Sequence, residues 1–574
     1  MRKLLKYLKN YKLQSVLAPL FKLLEAAFEL FVPLIVSAII DNGINGGEGW
    51  SYILYACLIL VALGVVGLIS AVSAQYFAAR AAVGFSKELR RDLFGKMQAL
   101  SYYDIDGLGT SKMITRMTSD VNQIQSGVNL VLRLFMRSPF IVFGAMIMAF
   151  IINITAGGVF AVSITVLCVV VFGIMLISIP LYKKVQGNLD NVTVATRETL
   201  TGARVVRAFC KEEDEIRSYN AHNEHLAKSQ KFVGKISALM NPLTYAIINA
   251  AIIVLLYVGA IKVDGGVLTQ GNVVALYNYM SQILIELIKL ANLIITVTKS
   301  FACAGRVNEI LEMSPSLSHS ARKEAEENSP YIVFDNVCVN YGNADMDALN
   351  GISFTVEKGQ TVGIIGGTGA GKTTLVNLLP HFYDVNAGKV SVGGINVNAV
   401  GDEKLRDICG IVPQKAVLFK GSIRENLQWG RNDATDEEIM SAVNCAQADD
   451  VIKSKDKGLD EQVEQGGKNF SGGQRQRLTI ARALVKKPEI LILDDSASAL
   501  DYATDAKLRK SLKSLDYNPT VFIVSQRTSS IRHADKIIVL DGGKMVGCGT
   551  HEQLLSSCEI YSEIHYSQFQ KEGA

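Results

Sequence analysis

The residues Ile490-Leu491-Ile492-Leu493 form an apolar run that ends in adjacent carboxylates, Asp494 and Asp495, and continues Ser496-Ala497-Ser498-Ala499-Leu500-Asp501. A strand that delivers paired carboxylates at its end can hold a divalent cation and orient an attacking water. Upstream, Gly366-Gly367-Thr368-Gly369-Ala370-Gly371-Lys372-Thr373 has the spacing G-x-x-x-x-G-K-[ST], directly after the β-rich run Thr361 to Ile365 and before the helical run Thr374 to Leu379. The glycines let successive backbone N–H groups wrap phosphate oxygens, Lys372 neutralises them, and Thr373 offers a hydroxyl to magnesium. Together the two stretches point to phosphoryl chemistry on a nucleoside triphosphate.

Such residues need a sheet to bring them together. From Tyr331 onwards, short β-rich runs (Tyr331 to Val339, Thr361 to Ile365, Gly410 to Val412, Ile490 to Leu493, Val521 to Val524, Lys536 to Leu540) alternate with helical segments. That alternation predicts an α/β layer with a largely parallel sheet. Before it, residues 313–330 turn polar and rich in Ser and Glu, which marks a linker. A further segment, Asn469-Phe470-Ser471-Gly472-Gly473-Gln474, precedes a helix expected over Arg475 to Val485 and offers a second set of backbone donors at a helix start.

The first half is of a different kind. The chain has 574 residues, of which 49% are hydrophobic and 20% charged, more apolar than most soluble proteins. Ser138 to Tyr182 has no charged residue over 45 positions, long enough for two spans of roughly 20 residues around the turn-like Asn153 to Gly158. Similar runs at Trp50 to Ala79, Ile236 to Ile261 and Val267 to Thr298, with a charged first segment near Leu17 to Ile40, give six spans. Lys and Arg number nine from Arg80 to Arg137 and ten from Lys183 to Lys235, against Lys262 alone in the three short loops on the other side. The positive-inside rule puts both long loops, both termini and the α/β half in the cytoplasm, as in an integral plasma (inner) membrane protein.

A formal net charge of +4, concentrated in loops, does not imply nucleic acid. Nine scattered cysteines without C-x-x-C spacing predict reduced thiols and no structural metal. Residues 1–13 read as a basic amphipathic elbow helix on the cytoplasmic face, not as a signal peptide. The long loops have helical arms with expected tips near Tyr103 and Asp104 and near Val206 and Arg207. Within the spans, Glu25 and Glu29 lie four apart and Glu286 and Lys289 three apart. Such pairs either join charges within a helix or line a substrate path.

The phosphate loop, Ser471-Gly472-Gly473-Gln474 and the carboxylate strand, in this order after six spans, resemble an ATP-binding-cassette (ABC) half-transporter of the exporter kind over essentially the whole chain. The resemblance implies a multidomain protein. An all-α six-helix transmembrane domain (14–312) is followed by a linker (313–330) and an α/β P-loop nucleotide-binding domain (331–574). Implied cofactors are ATP and Mg²⁺. ATP binding falls to Tyr341, stacked on adenine, and to Gly366, Gly367, Thr368, Gly369, Ala370, Gly371, Lys372, Thr373, Thr374 and Gln414. Magnesium falls to Thr373, Gln414 and Asp494. Asp501 lies in the loop that crosses between two ATP sites, and the tips at Tyr103, Asp104, Val206 and Arg207 are coupling helices. No domain precedes the first span in this sequence, so an exporter with its own leader-peptide protease is not expected.

Two positions depart from the family pattern. Efficient members carry glutamate after the magnesium aspartate and histidine in the switch position; this chain has Asp495 and Gln526. Asp495 is one methylene shorter, so its carboxylate is drawn back from the attacking water. Gln526 can hydrogen-bond a phosphate but cannot become a cation. The expectation is a degenerate site that binds ATP and turns it over poorly. Ser471, Gly472, Gly473 and Gln474 are intact, and in this family they complete the other chain's site. The expected assembly is therefore a heterodimer, its partner supplying the catalytic glutamate and switch histidine. Its expected task is export of a hydrophobic or amphipathic substrate (drug, lipid or peptide).

Overall fold

The computed structural model describes residues 2–47, 49–317, 329–341 and 347–569. Most of the expected linker, residues 318–328, and the last positions of the second expected domain, 570–574, lie outside the described residues. The chain forms two compact units, one of Met1–Ala99 with Gly109–Met313 and the other of Leu100–Leu108 with Ser314–Ala574. A simple cut at the linker would have left Leu100–Leu108 with the first unit. That segment belongs to the second because the Tyr102 ring lies 4.2 Å from that of Phe382 and Tyr383 Oη donates to Asp106 at 2.8 Å.

Among the described residues of the first unit, six helical segments are long and apolar enough to cross a membrane: Lys3–Asn45, Gly49–Ala99, Thr110–Ile152, Ile154–Thr201, Glu212–Asp264 and Gln270–Glu312. At 1.5 Å per residue such segments run about 65–80 Å, more than twice a hydrocarbon core of roughly 30 Å, so each continues as an arm beyond it. The apolar window of the second is only 11% buried, and a side chain such as Leu54 can face lipid without cost. The turn between the third and fourth segments is tighter than the sequence suggested. Only Asn153 leaves the helix (φ −161°), and its side chain accepts from the amides of Thr155 and Ala156. The fourth helix therefore starts at Ile154, and Gly157 sits inside it, where a Cβ would come within 2.3 Å of the Phe150 ring. Near the start of the chain, Leu4 and Tyr7 are buried on one face, Tyr7 edge-on to Phe85 of the second segment, while Lys3 stays exposed.

The intramembrane acids are joined by a residue just outside the charge-free run. Arg137 donates from Nη1 to Glu286 Oε1 at 2.7 Å and from Nη2 to Glu29 Oε2 at 2.6 Å. Ser138 Oγ donates to Glu286 Oε2 at 2.7 Å, Lys289 Nζ to Glu286 Oε1 at 2.8 Å, and Lys22 Nζ to Glu25 Oε2 at 2.5 Å. Three acids thus meet three bases from the first, third and sixth segments. Glu286 is enclosed by these partners at 2% exposure; Glu29 and Lys289 keep part of their surface open. A lone carboxylate at that depth would cost several kcal/mol, which the pairing offsets.

The second unit has two main sheets. Strands β1 (Ile332–Val339), β2 (Leu349–Val356), β4 (Ala387–Val392) and β5 (Ile395–Asn396) form an antiparallel sheet in the order β2-β1-β4-β5. Strands β3 (Thr361–Gly366), β6 (Cys409–Val412), β9 (Ile490–Asp494), β10 (Thr520–Val524), β11 (Lys536–Asp541) and β12 (Lys544–Gly549) form the other, in the order β12-β11-β3-β10-β9-β6. Five of these six run parallel and only β12 is antiparallel. The short β7 (Gly421–Ser422) and β8 (Gln462–Val463) pair apart. The antiparallel sheet was not foreseen, since β2, β4 and β5 have no long apolar run to announce them. Every residue of β9 and β10 is buried, as a strand covered on both faces requires.

Replacing Arg137 by Gln is expected to cost about 3–5 kcal/mol by leaving Glu286 and Glu29 without their cation. Thermal unfolding of the purified full chain checks this, with Arg137→Gln/Glu286→Gln expected to regain part of the loss.

Candidate functional site

Parallel strands that end together create the site. Asp494 closes β9 opposite Val524 of β10, and Val524 in turn pairs with Ile364 of β3, so three loops leave one edge of the sheet side by side. Between them lies a cavity of about 290 Å³ lined by the loop Thr368 to Thr374 and by Tyr341, Gln414, Asp494, Asp495 and Gln526. These residues come from five separated parts of the chain.

The loop after β3 turns sharply because Gly369 and Gly371 adopt left-handed φ values of 82° and 91°. At Gly371 a Cβ would stand 2.4 Å from the Ala348 carbonyl oxygen, so only glycine fits. The helix that follows, Lys372–Asn377, starts two residues earlier than expected. Lys372 Nζ donates to the carbonyls of Gly366 at 2.8 Å and Gly367 at 2.5 Å. Burial holds its pKa below the ordinary value, against the opposing pull of the Asp495 and Asp494 charges. Thr373 Oγ1 lies 3.1 Å and 3.0 Å from the two carboxylate oxygens of Asp494. Burial raises the Asp494 pKa, and the neighbouring Asp495 charge adds to the effect.

Asp495 stands in the left-handed region at φ 47°, a conformation that aspartate tolerates better than longer or branched side chains. Its amide donates to the Val524 carbonyl at 3.0 Å, and its own carbonyl accepts from Ser498 Oγ at 2.8 Å. Gln414 Nε2 approaches Asp495 Oδ2 at 3.5 Å, the outer limit of a hydrogen bond. Burial raises the Asp495 pKa as well. Tyr341 stands at the rim, its hydroxyl 3.0 Å from Thr374 Oγ1 and its ring edge-on to Tyr383 at 5.3 Å.

The remaining candidates lie elsewhere. Ser471 caps the helix Gly472–Val485, which starts three residues before the expected Arg475: Ser471 Oγ accepts from the Gln474 amide and Gln474 Oε1 from the Ser471 amide, a reciprocal capping box. Neither these two residues nor Gly472 and Gly473 line the cavity of Lys372 and Asp494. Asp501 caps the helix Tyr502–Lys513, accepting from Thr504 N at 2.8 Å, which holds its carboxyl below the usual range. Asp104 accepts from Ser101 Oγ at 2.7 Å and the Ser316 amide at 3.1 Å, so it ties its segment to the start of the expected linker. Tyr103 is exposed there and lines a small cavity with Ser316 and Tyr383. Val206 and Arg207 lie on the short helix Ala203–Ala208 of the first unit.

Two further residues hold the site in shape and escaped sequence reasoning. Gln568 donates from Nε2 to the Gln526 carbonyl at 2.7 Å and accepts from the Thr528 amide at 2.9 Å, so it grips the backbone on both sides of Arg527. Arg527 donates to the carbonyls of Leu500 at 3.2 Å and Ser498 at 3.4 Å, joining the segment after β10 to the segment after β9. No motif surrounds Gln568, and its partner is 42 residues away.

Comparison with known proteins agrees with this architecture. Residues 15–287 match the family model of the ABC transporter transmembrane region, and residues 349–498 that of the ABC transporter. An uncharacterized ABC transporter ATP-binding protein of Mycobacterium tuberculosis is 34% identical, over 98% of this chain and 97% of its own. The probable multidrug resistance ABC transporter ATP-binding/permease protein YheI of Bacillus subtilis is 30% identical, over 99% and 97%. Among solved structures, a bacterial Atm1-family ABC exporter with ATP bound superposes with a TM-score of 0.81 at 25% identity, covering 98% of this chain and 99% of that one. The chain belongs to the ABC transporter family: it is an exporter-type half-transporter whose ATPase is coupled to transport.

Proposed function

We propose that this chain is the half of a heterodimeric ABC exporter whose own ATP site is degenerate, and that its Ser471-to-Gln474 segment completes the hydrolytic site of its partner. The observation that carries this reading is that Asp495 and Gln526 line the same cavity as Lys372, Thr373 and Asp494, while the intact signature segment lies outside it. One chain thus brings a complete phosphate loop to one site and a complete signature to another. In a homodimer both sites would inherit Asp495 and Gln526.

ATP enters with its adenine against the Tyr341 ring and its phosphates in the loop Gly366 to Thr373, where Lys372 exchanges its carbonyl partners for phosphate oxygens. The residues present fit a magnesium ion: a hydroxyl and a buried carboxylate, Thr373 and Asp494, are adjoining hard oxygen donors, with Gln414 nearby. Bound there with ATP, magnesium supplies neutralisation of the phosphate charge. Asp495 keeps its carboxylate one methylene short of the position from which glutamate orients water, and Gln526 offers an amide in place of an imidazole. Held ATP keeps two cassettes in contact while the partner's site turns over. The segment Leu100–Leu108, packed within the second unit, is carried along by its movements and passes them to the helices that flank it. The exposed apolar surface of the spans, the positive-inside loops and the likeness to YheI support a membrane location with a cytoplasmic ATP site and a hydrophobic or amphipathic substrate.

Gly371→Ala is expected to weaken binding of a fluorescent ATP analogue about tenfold or more, because strain at φ 91° and the contact with the Ala348 carbonyl distort the loop. Titration of the purified full chain reads this. In the complex that co-purifies with the tagged chain, Asp495→Asn is expected to leave ATPase within about threefold of the starting rate, whereas Gly473→Asp and glutamine in place of the partner's catalytic glutamate each lower it about 100-fold or more. If Asp495→Asn removes as much activity as those two, the division of labour is refuted.

A further inference from the structure

A second cavity, of about 710 Å³, opens at the amino-terminal starts of β3 and β10, where Thr361 and Val521 line it. Its floor is apolar, with Leu512 and Ile523, and the rings of Tyr502 and Phe569 stand at its wall. Among the described residues four basic side chains, Arg509, Lys510, Lys513 and Arg532, line it against a single carboxylate, Asp535. That carboxylate is engaged, accepting from the Thr361 amide at 2.7 Å. Arg509 pairs through Nη2 with Asp505 at 3.2 Å, yet its Nε is buried without a hydrogen-bond partner. Lys510, Lys513 and Arg532 have no acidic partner among the described residues. Arg532 Nε instead donates to His533 Nε2 at 3.1 Å, and Lys513 Nζ to the His533 carbonyl at 3.3 Å. Burial and the charges of Arg532, Arg509 and Lys513 hold the His533 pKa below its usual value, as uncompensated positive potential requires.

Cations left without acids in a concave, partly apolar site are an arrangement for an anion that also carries apolar surface. We propose that this cavity binds a phosphate monoester with an aromatic or heterocyclic ring, of the nucleoside monophosphate class. The phosphate meets Arg509, Lys510, Lys513 and Arg532, and the ring lies on the apolar floor beside Tyr502 and Phe569. The volume lies within the range of small-molecule pockets, roughly 300–1,000 Å³. Such a ligand touches the helix that Asp501 caps and the helix Thr528–Ile531, which starts two residues after Gln526 of the ATP cavity. The proposal does not depend on which ATP site hydrolyses.

The test uses pyridoxal 5′-phosphate on the full chain in lipid nanodiscs. Its aldehyde condenses with a lysine amine, releasing water, and borohydride then reduces the imine to a stable secondary amine that peptide mass spectrometry locates. Lys510 or Lys513 is expected to react about fivefold or more faster than exposed Lys544, to be protected about fivefold by adenosine 5′-monophosphate, and to need about tenfold more inorganic phosphate for equal protection. Adenosine is expected not to protect. Arg532→Gln, an exposed position whose change leaves the core intact, is expected to lower the rate at both lysines about fivefold, and Arg509→Gln further. Reaction no faster than at Lys544, or unchanged in Arg532→Gln, overturns the site. Protection by adenosine equal to that by the monophosphate overturns phosphate recognition, and protection by inorganic phosphate equal to it overturns the role of the ring.

Discussion

The parallel register of β3, β10 and β9 is the constraint on which the ATP site depends. Because Ile364, Val524 and Asp494 lie in one row, the phosphate loop, the switch segment and the carboxylate pair leave the sheet at the same edge. A slip of one residue in β9 would turn Asp494 to the other face and bury it without Thr373. The strands can hold that register because they are buried on both faces, so any slip exchanges close-packed apolar contacts for voids.

The membrane unit answers a different constraint. Charged groups at that depth survive only when paired, and the bases and acids around Arg137 balance one another across three helices. The network joins segments whose apolar surfaces alone would specify their mutual rotation poorly, since lipid tails and leucine side chains are alike in polarity. Glu286 is thereby held by Arg137, Ser138 and Lys289 inside the bundle.

Much of the chemistry was legible from local pattern. Gly366 to Thr373 needs no partner to be read, because its glycines and lysine are neighbours in sequence, and the departures at Asp495 and Gln526 are single-residue facts. Element ends were less legible. The helix after Ser471 starts at Gly472 instead of Arg475 because a capping box between Ser471 and Gln474 overrides the poor helix propensity of two glycines. The antiparallel sheet around β1 escaped because β2 alternates buried and exposed positions and β4 and β5 are short, with Ala, Gly, Lys, Ser and Asn among their residues, so all three look like loop to a reading that seeks apolar runs.

The sequence by itself determined the six-span membrane half, the phosphate-binding loop and the two substitutions at the ATP site, because each depends on composition or on residues within about ten positions of one another. Tertiary structure alone decided what stands beside what. It turned Glu286 inward to Arg137, attached Leu100–Leu108 to the second unit through Tyr102 and Asp106, and set Gln568 on the backbone of the switch segment. The physical reason is that a hydrogen bond or an ion pair between distant residues leaves no periodic trace in the chain. It is fixed by the packing that brings its ends together.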